Sequence, residues 1–500
     1  MRLREAAKEA LGPLAVSMTL EDTQLLRRQI ARRCIYGVDL NEMAVNLARL
    51  SIWIHTFVPG LPLSFLDHNL VQGNALIGMG TVDEANEWMG KVAGPLIRLT
   101  PEQLEPALKP LRDLAGVSDA NASEVAKARK SLAEAKEVVA PVAALFDILS
   151  AARIDRDCGL AVHTDAGRWM KDLSSLPCSA AHKKARKVME AIPPFHFPVA
   201  FPEVFLRERS GFDVLLGNPP WEEATVEEDR FWTRHHPGFH SLRQQEQENT
   251  KAKLRDSRPD LVRCYETERA GADLLRGVLT SGQYPGMGTG DPDLYKAFYW
   301  RFWELSVAGS GWAGIVLPRN SMAAKGSAEF REKAFREGTF GDLTWLLNSG
   351  GWVFDDVEAR YTMVLAAFHK QRAEANATLP FRGPFRSRLR YDEGMAKPAL
   401  KFTVSDVGQW TDIWALPLLP TEDSGEVFAQ LRKSPRLDAK IAGSWRARPV
   451  AEFHATSDKP LMRLSERGRV GRKQRVKNGK SGKLSCGILF SVSLRCENRY

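Results

Sequence analysis

The sequence predicts an α/β fold, and three stretches predict it. Cys34-Ile35-Tyr36-Gly37-Val38-Asp39-Leu40 is a short apolar run ending in a carboxylate, and from Asn41 it gives way to an amphipathic stretch with Met43, Leu47, Leu50 and Ile54 at helical spacing. Gly211-Phe212-Asp213-Val214-Leu215-Leu216-Gly217 reads as a buried strand over 212–216 that stops at Gly217. Residues 313–317, 343–347 and 361–368 are further strand-like runs, preceded by a helix over 294–305 that Asp293 caps. Strands alternating with helices make a layered sheet, with function carried at the carboxyl ends of the strands.

In chain order, residues 2–33 read as helix, rich in Ala, Leu, Arg and Glu, with a break near Gly12-Pro13. Asp39 then ends a strand, where a carboxylate either accepts hydrogen bonds from a ribose diol or caps the following helix. Asp67 to Leu76 follows, with Val71 in a short strand and Gly73-Asn74 at its end. Asn74 is either a contact for a cofactor's adenine amine or a turn residue. Residues 81–194 look like a helical insertion. Its segment 123–136 mixes charge signs as a solvated helix face does, and the apolar run 138–149 packs it back on the body.

Residues 222–270 are charged and helix-prone. Arg234-His235-His236-Pro237-Gly238-Phe239-His240 has no nearby acidic or cysteine partner at ligand spacing, so no metal site is expected. Gly286-Met287-Gly288-Thr289-Gly290-Asp291 imitates a cofactor loop, but no strand precedes it, and it reads as a flexible loop. Beyond residue 369 the pattern weakens. Arg382, Arg386, Arg388 and Arg390 with Phe381, Phe385 and Tyr391 begin either a DNA-reading domain or a basic surface loop.

Five hundred residues, 44% apolar, suffice for two or three domains with a real core. The net charge of +9 resides in the tail: residues 463–500 hold eleven Lys+Arg against two Glu. That tail is expected to be disordered and to meet phosphates without specificity. No apolar run reaches membrane-spanning length, since His55, Pro59, Gly60 and Pro62 interrupt the best one, 51–66. Met1-Arg2-Leu3-Arg4-Glu5 opens no signal-peptide core, and the six cysteines form no close pair, so a cytoplasmic location is expected.

Asn218-Pro219-Pro220-Trp221 is the chemical centre of the sequence. Asn218 offers a carbonyl acceptor, the two prolines stiffen the turn and remove two N–H donors, and Trp221 adds a flat face. Two acceptors beside a flat face suit a planar ring with an exocyclic amine. Taking both amine hydrogens leaves the nitrogen lone pair freer to attack an electrophilic methyl group.

The corner resembles the Asn-Pro-Pro-aromatic motif of amino-methyltransferases. With Gly37-Val38-Asp39-Leu40-Asn41 and Gly73-Asn74-Ala75-Leu76 it is similar, in wording and order, to one family. That family is the DNA adenine-N6 methyltransferases of single-chain (type IIG-like) restriction–modification enzymes and BREX-type phage-exclusion systems. The resemblance spans roughly residues 33–368 without inserts. It implies a Rossmann-like class I S-adenosylmethionine-dependent sheet. It also implies catalytic roles for Asn218, Pro219, Pro220 and Trp221, a cofactor site at Asp39, Leu40 and Asn74, and base stacking by Trp221 and Phe354, with Trp352 as the runner-up. Double-stranded DNA is the implied partner, with other defence-system subunits possible and no membrane.

The implied organisation is a cofactor half (1–80), a helical insertion (81–195), a catalytic half (196–370, with 222–290 inserted), a recognition or linker region (371–462) and the tail (463–500). The family's glycine-rich loop has no counterpart before Asp39, so the central first strand is expected to be missing and the chain N-terminally truncated. Two competitors remain at this point: a protein glutamine-N5 methyltransferase and a non-catalytic DNA-binding remnant.

Overall fold

The computed structural model describes residues 22–59, 61–62, 65–116, 121–288, 292–355, 357–374, 376–419, 424–436, 438–439 and 447. The expected tail and the residues before 22 lie outside them. Two compact units divide the chain at residues 422 and 423, and the second is described chiefly by one helix, Ser424–Leu431. No described helix is long and apolar enough to cross a membrane.

The described residues of the first unit form two sheets. Helix α1 (Asp22–Cys34) leads to β1 (Gly37–Asp39), α2 (Glu42–His55) and β2 (Leu70–Gln72). β1 and β2 pair in parallel, Gly37 opposite Leu70 and Asp39 opposite Gln72. Asn41 caps α2, its side chain accepting from the amides of Met43 and Ala44. The second sheet has six strands in the order β3-β4-β6-β5-β7-β8. They are β3 (Val214–Gly217), β4 (Trp312–Pro318), β5 (Thr339–Leu347), β6 (Thr362–His369), β7 (Thr378–Phe385) and β8 (Leu400–Thr403). β3 runs parallel to β4, whereas β6 lies antiparallel between β4 and β5. β7 and β8 extend this sheet past residue 370, so the arginines and aromatics near 381–391 belong to its margin. Arg382 is tied there, its Nε donating to Asp342 at 3.0 Å.

The strand after Gly211 differs from its expected burial. It forms at 214–217 rather than 212–216, and it is an edge strand whose Val214 and Leu216 are 61% and 79% exposed. Only alternate residues are covered: Leu215 packs on a cluster built from Phe197, Phe201, Val204, Phe205 and Leu305. Tyr36 and Val38, entering and within β1, pack on that same cluster. The rings of Tyr36 and Phe212 meet at 5.7 Å. β1 and β3 therefore start at one level on a shared apolar layer while belonging to separate sheets among the described residues.

The stretch expected to be a helical insertion contains α3 (Val82–Ala93), α4 (Leu108–Gly116), α5 (Ala122–Ala151), α6 (Arg156–Trp169) and α7 (Ala180–Val188), and the mixed-sign segment 123–136 lies in α5. Its core holds Val139, Val142, Leu145, Phe146, Ile148 and Leu149, all from the apolar run of α5. Asp147 on α5 joins His182 at 2.8 Å and His196 at 3.1 Å, which ties α7 and the following segment to that helix. Burial works against the Asp147 charge, but the hydrogen bonds and charges of His196 and His182 outweigh it and lower its pKa.

After β3 come α8 (Glu228–His235), α9 (Gln244–Ser257), α10 (Pro259–Val278) and α11 (Leu294–Leu305). α11 lies on the large sheet, with Tyr299 4.3 Å from Phe368 of β6 and Phe302 over the end of β3. A buried ionic knot joins α11 to the insertion. Arg301, 1% exposed, donates through Nη1 to Glu84 at 3.0 Å and to Glu304 at 2.7 Å, and Arg153 reaches Glu84 at 2.6 Å. Nη2 of Arg301 reaches the carbonyls of Leu76 and Gly78. Burial pushes the Glu84 carboxyl up, yet the guanidinium groups of Arg301 and Arg153 overcome this and hold it at about 2. Glu304, buried beside that anion, is pushed up to about 8.

Candidate active site

The corner 218–221 sits at the carboxyl end of β3. Gly217 permits a close approach there: a Cβ would lie 2.6 Å from the tip of the Phe302 ring, so α11 could cover a larger residue only if that ring moved. Asn218 is exposed, Pro219 buried and Pro220 exposed, so one proline anchors the turn while the amide faces outward. No described residue hydrogen-bonds the Asn218 side chain. Beyond the corner the chain is pinned to the start of α11, Leu294 N donating to the Glu222 carbonyl at 3.0 Å and Ala224 N to that of Pro292 at 2.9 Å. The turn is thus held on both sides.

Trp221 is half-buried. Its Nε1 donates to the Val316 carbonyl of β4 at 3.4 Å, and its ring stacks with Tyr361 at 6.3 Å between centroids and 26° between planes. Trp221, Trp352 and Phe354 pack on one patch made by Leu346, Met363 and Phe385. The Asn-Pro-Pro-Trp corner and the Phe354 loop, more than a hundred residues apart, thus meet at one place. Trp352 also donates Nε1 to the Leu347 carbonyl at 2.8 Å, so its indole closes the loop. Tyr361, 49% exposed, is the aromatic that sequence reasoning missed. It falls at the head of an apolar strand, where an aromatic carries no separate signal.

Asp39, Leu40, Gly73 and Asn74 gather at the carboxyl ends of β1 and β2, where Gly73 N donates to the Asp39 carbonyl at 2.9 Å. Asp39 is exposed, and its Oδ1 accepts from Asn41 N at 2.7 Å. The carboxylate helps turn the chain into α2. Asn74 Oδ1 accepts from Leu76 N at 3.1 Å, the turn arrangement weighed above.

Gly286 and Gly288 have left-handed backbones, and a Cβ on Gly286 would lie 2.5 Å from Phe330 N. The described part of that loop therefore uses glycine for close packing; residues 289–291 lie outside the described ones. A cavity of about 850 Å³ lies elsewhere, lined by Glu84, Tyr284, Trp300, Trp303, Glu304 and Lys370 beside the ionic knot. Its walls are the polar joints between insertion and sheet, and none of the residues 218–221 line it.

Residues 33–254 match the family described as Eco57I restriction-modification methylase. That span contains β1, β2, the insertion, β3 and the corner, and over it the chain is similar to such methylases. No curated protein matches. Among solved structures, the chain is similar to a protein described as a modification subunit of a type I restriction enzyme from Vibrio vulnificus YJ016. The two share 12% identity over 81% of this chain and 92% of the other, with a TM-score of 0.25.

Proposed function

We propose that this chain carries the target-base corner of a DNA adenine-N6 methyltransferase of the restriction–modification kind. The observation that supports it most is the corner itself. An outward amide with no partner among the described residues stands on a buried proline, beside an aromatic patch that gathers Trp221, Phe354 and Tyr361. The family match over 33–254 supports the same reading. So does the strand order β3-β4-β6-β5 with β6 antiparallel, the arrangement expected of the catalytic half of a class I methyltransferase sheet.

In this reading an adenine leaves the duplex stack and lies against the aromatic patch. The Asn218 side-chain carbonyl and the Pro219 main-chain carbonyl accept the two hydrogens of its amine. Pro220 keeps the turn from relaxing, and the patch excludes water from one face of the ring. S-adenosylmethionine supplies an electrophilic methyl group when bound. Asp39 fits its ribose diol through the carboxylate oxygen not engaged by Asn41, and Leu40 and Asn74 flank the adenine. No general base is assigned. The protein belongs in the cytoplasm, with double-stranded DNA as partner and other defence-system subunits as further ones.

The test is incorporation of labelled methyl groups into duplex DNA by the chain and by its Asn218→Ala variant. The reading expects methylated adenine from the first and loss of it from the second. Transfer by Asn218→Ala near the unaltered rate overturns it, as does label appearing in protein glutamine and not in DNA.

A further inference from the structure

We propose that Asn348 is a positioning residue, one that sets Phe354 and Tyr361 against the Trp221 patch without touching DNA. The proposal rests on the DNA-base reading above and adds the residue that shapes the slot.

β5 ends at Leu347, and the chain returns as β6 at Thr362. The excursion between them holds Trp352, Phe354 and Tyr361. Such a loop, left to itself, samples many conformations on the nanosecond scale and beyond. Asn348 at its base is fully buried, at 0% exposure. Its Nδ2 donates to the carbonyls of Phe354 and Val357, both at 2.9 Å. Its Oδ1 accepts from the amides of Val353 and Phe354, both at 3.1 Å. Its main-chain N–H donates to the Tyr361 carbonyl at 2.9 Å, and its carbonyl accepts from Gly351 at 3.1 Å. One residue thus grips Phe354 at both its amide and its carbonyl, and Tyr361 at its carbonyl.

The residue type is dictated by this pattern. A primary amide has two donors and two acceptor positions, and all are used here. Aspartate has the same size but presents only acceptors when ionised, which sets a carboxylate against two carbonyls. Glutamine is one methylene longer in a site with no space. Gly350 and Gly351 allow the tight return, both with left-handed backbones at φ +71° and +75°.

Positioning decides rate where two flat surfaces must receive a third. A displacement of about 1 Å at a distance from the chemistry costs about 100-fold in turnover. Tyr361 stacks on Trp221, and Phe354 shares the patch, so freeing the loop blurs the slot while leaving Asn218 and Asp39 in place.

The experiment compares the full chain with Asn348→Asp. The measurements are methyl transfer from labelled S-adenosylmethionine, cofactor affinity, and the emission of a duplex carrying 2-aminopurine at the target position. The expected result is kcat lowered about 10- to 100-fold, cofactor affinity within about twofold, and loss of most of the 2-aminopurine emission rise. A merely structural role would lower cofactor affinity and active fraction together and leave the kcat of the folded fraction alone. If the variant fails to fold, amide exchange over residues 352–357 of the unaltered chain takes its place. Slow exchange at Val353 and Phe354 supports the clasp, and exchange at loop rates overturns it. Unaltered protein that neither raises the emission nor methylates DNA overturns the functional reading itself. Unaltered protein that does both, matched by Asn348→Asp, overturns the role of Asn348 alone.

Discussion

Asn218 and Asn348 are the same side chain in opposite circumstances. Asn348 is sealed at the base of a loop with every donor and acceptor spent. Asn218 stands exposed at the end of β3 with none of its side-chain capacity engaged by a described residue. The same contrast separates larger regions. The knot of Glu84, Arg153, Arg301 and Glu304 is a buried ionic group in which Glu84 takes both guanidinium groups and Arg301 also reaches Glu304, joining α3 to α11. The corner 218–221 is held by proline, by glycine and by the Trp221 indole, whose Nε1 donates to Val316, and it leaves the Asn218 side chain without a partner among the described residues. The Asn348 amide is saturated by the loop it ties, whereas the Asn218 amide has no partner among the described residues.

That contrast can be broken at several points. Arg301→Ala should have the largest effect, because it takes the guanidinium from Glu304 and leaves Glu84 with Arg153 alone. Removing one partner of a buried pair costs about 3–5 kcal/mol, and the midpoint of denaturant unfolding checks it. Asn218→Ala should leave that midpoint unmoved and lower methyl transfer about 100-fold or more, as loss of a preorganised polar contact does. A variant that loses stability instead would erase the distinction between the two regions. Tyr361→Ala should cost roughly tenfold in kcat/KM, since one stacking face is worth about 1–3 kcal/mol, with single-turnover rates as the measure.

The pH dependence sharpens the contrast further. Burial beside Glu84 raises Glu304 from 4.5 to about 8. Between those values the folded state holds a proton that the unfolded chain has released, so this contribution is complete below 4.5 and is lost as pH rises through 8. Glu84 works the other way, its stabilisation fading as pH falls from 4.5 towards 2. Glu304→Gln should flatten the loss of stability between pH 5 and about 8 by at most about 1.4 kcal/mol per pH unit, read from unfolding at several pH values. Lys130→Ala should give the smallest change, because its 3.8 Å pair with Glu134 is exposed. A shift within about 0.5 kcal/mol is expected.

Much of the fold is legible in short apolar runs. The strands at 313–317, 343–347 and 361–368 appear as β4, β5 and β6, and the helix at 294–305 is α11. The turn at Asn218-Pro219-Pro220-Trp221 is legible because two prolines after a strand end it, and β3 does stop at Gly217. Three things were not legible. The exposure of Val214 and Leu216 depends on which strands lie beside β3, and periodicity within one strand says nothing about its neighbours. Glu84 and Arg301 are joined across 217 positions, a pairing no local pattern carries. Asn348, followed by Ser349, Gly350 and Gly351, looks like any polar turn, and its clasp emerges only when the loop folds over it.

Helix α2 carries one more consequence. Val45 is its sole fully buried residue, yet Met43, Leu47, Leu50 and Ile54 form an apolar stripe 48–65% exposed. A helix with that much oil on its outer side behaves in solution like a fragment of an interior. Concentrated preparations should therefore stick to hydrophobic resins and to each other, and mild detergent or polar replacements along the stripe should keep them dispersed.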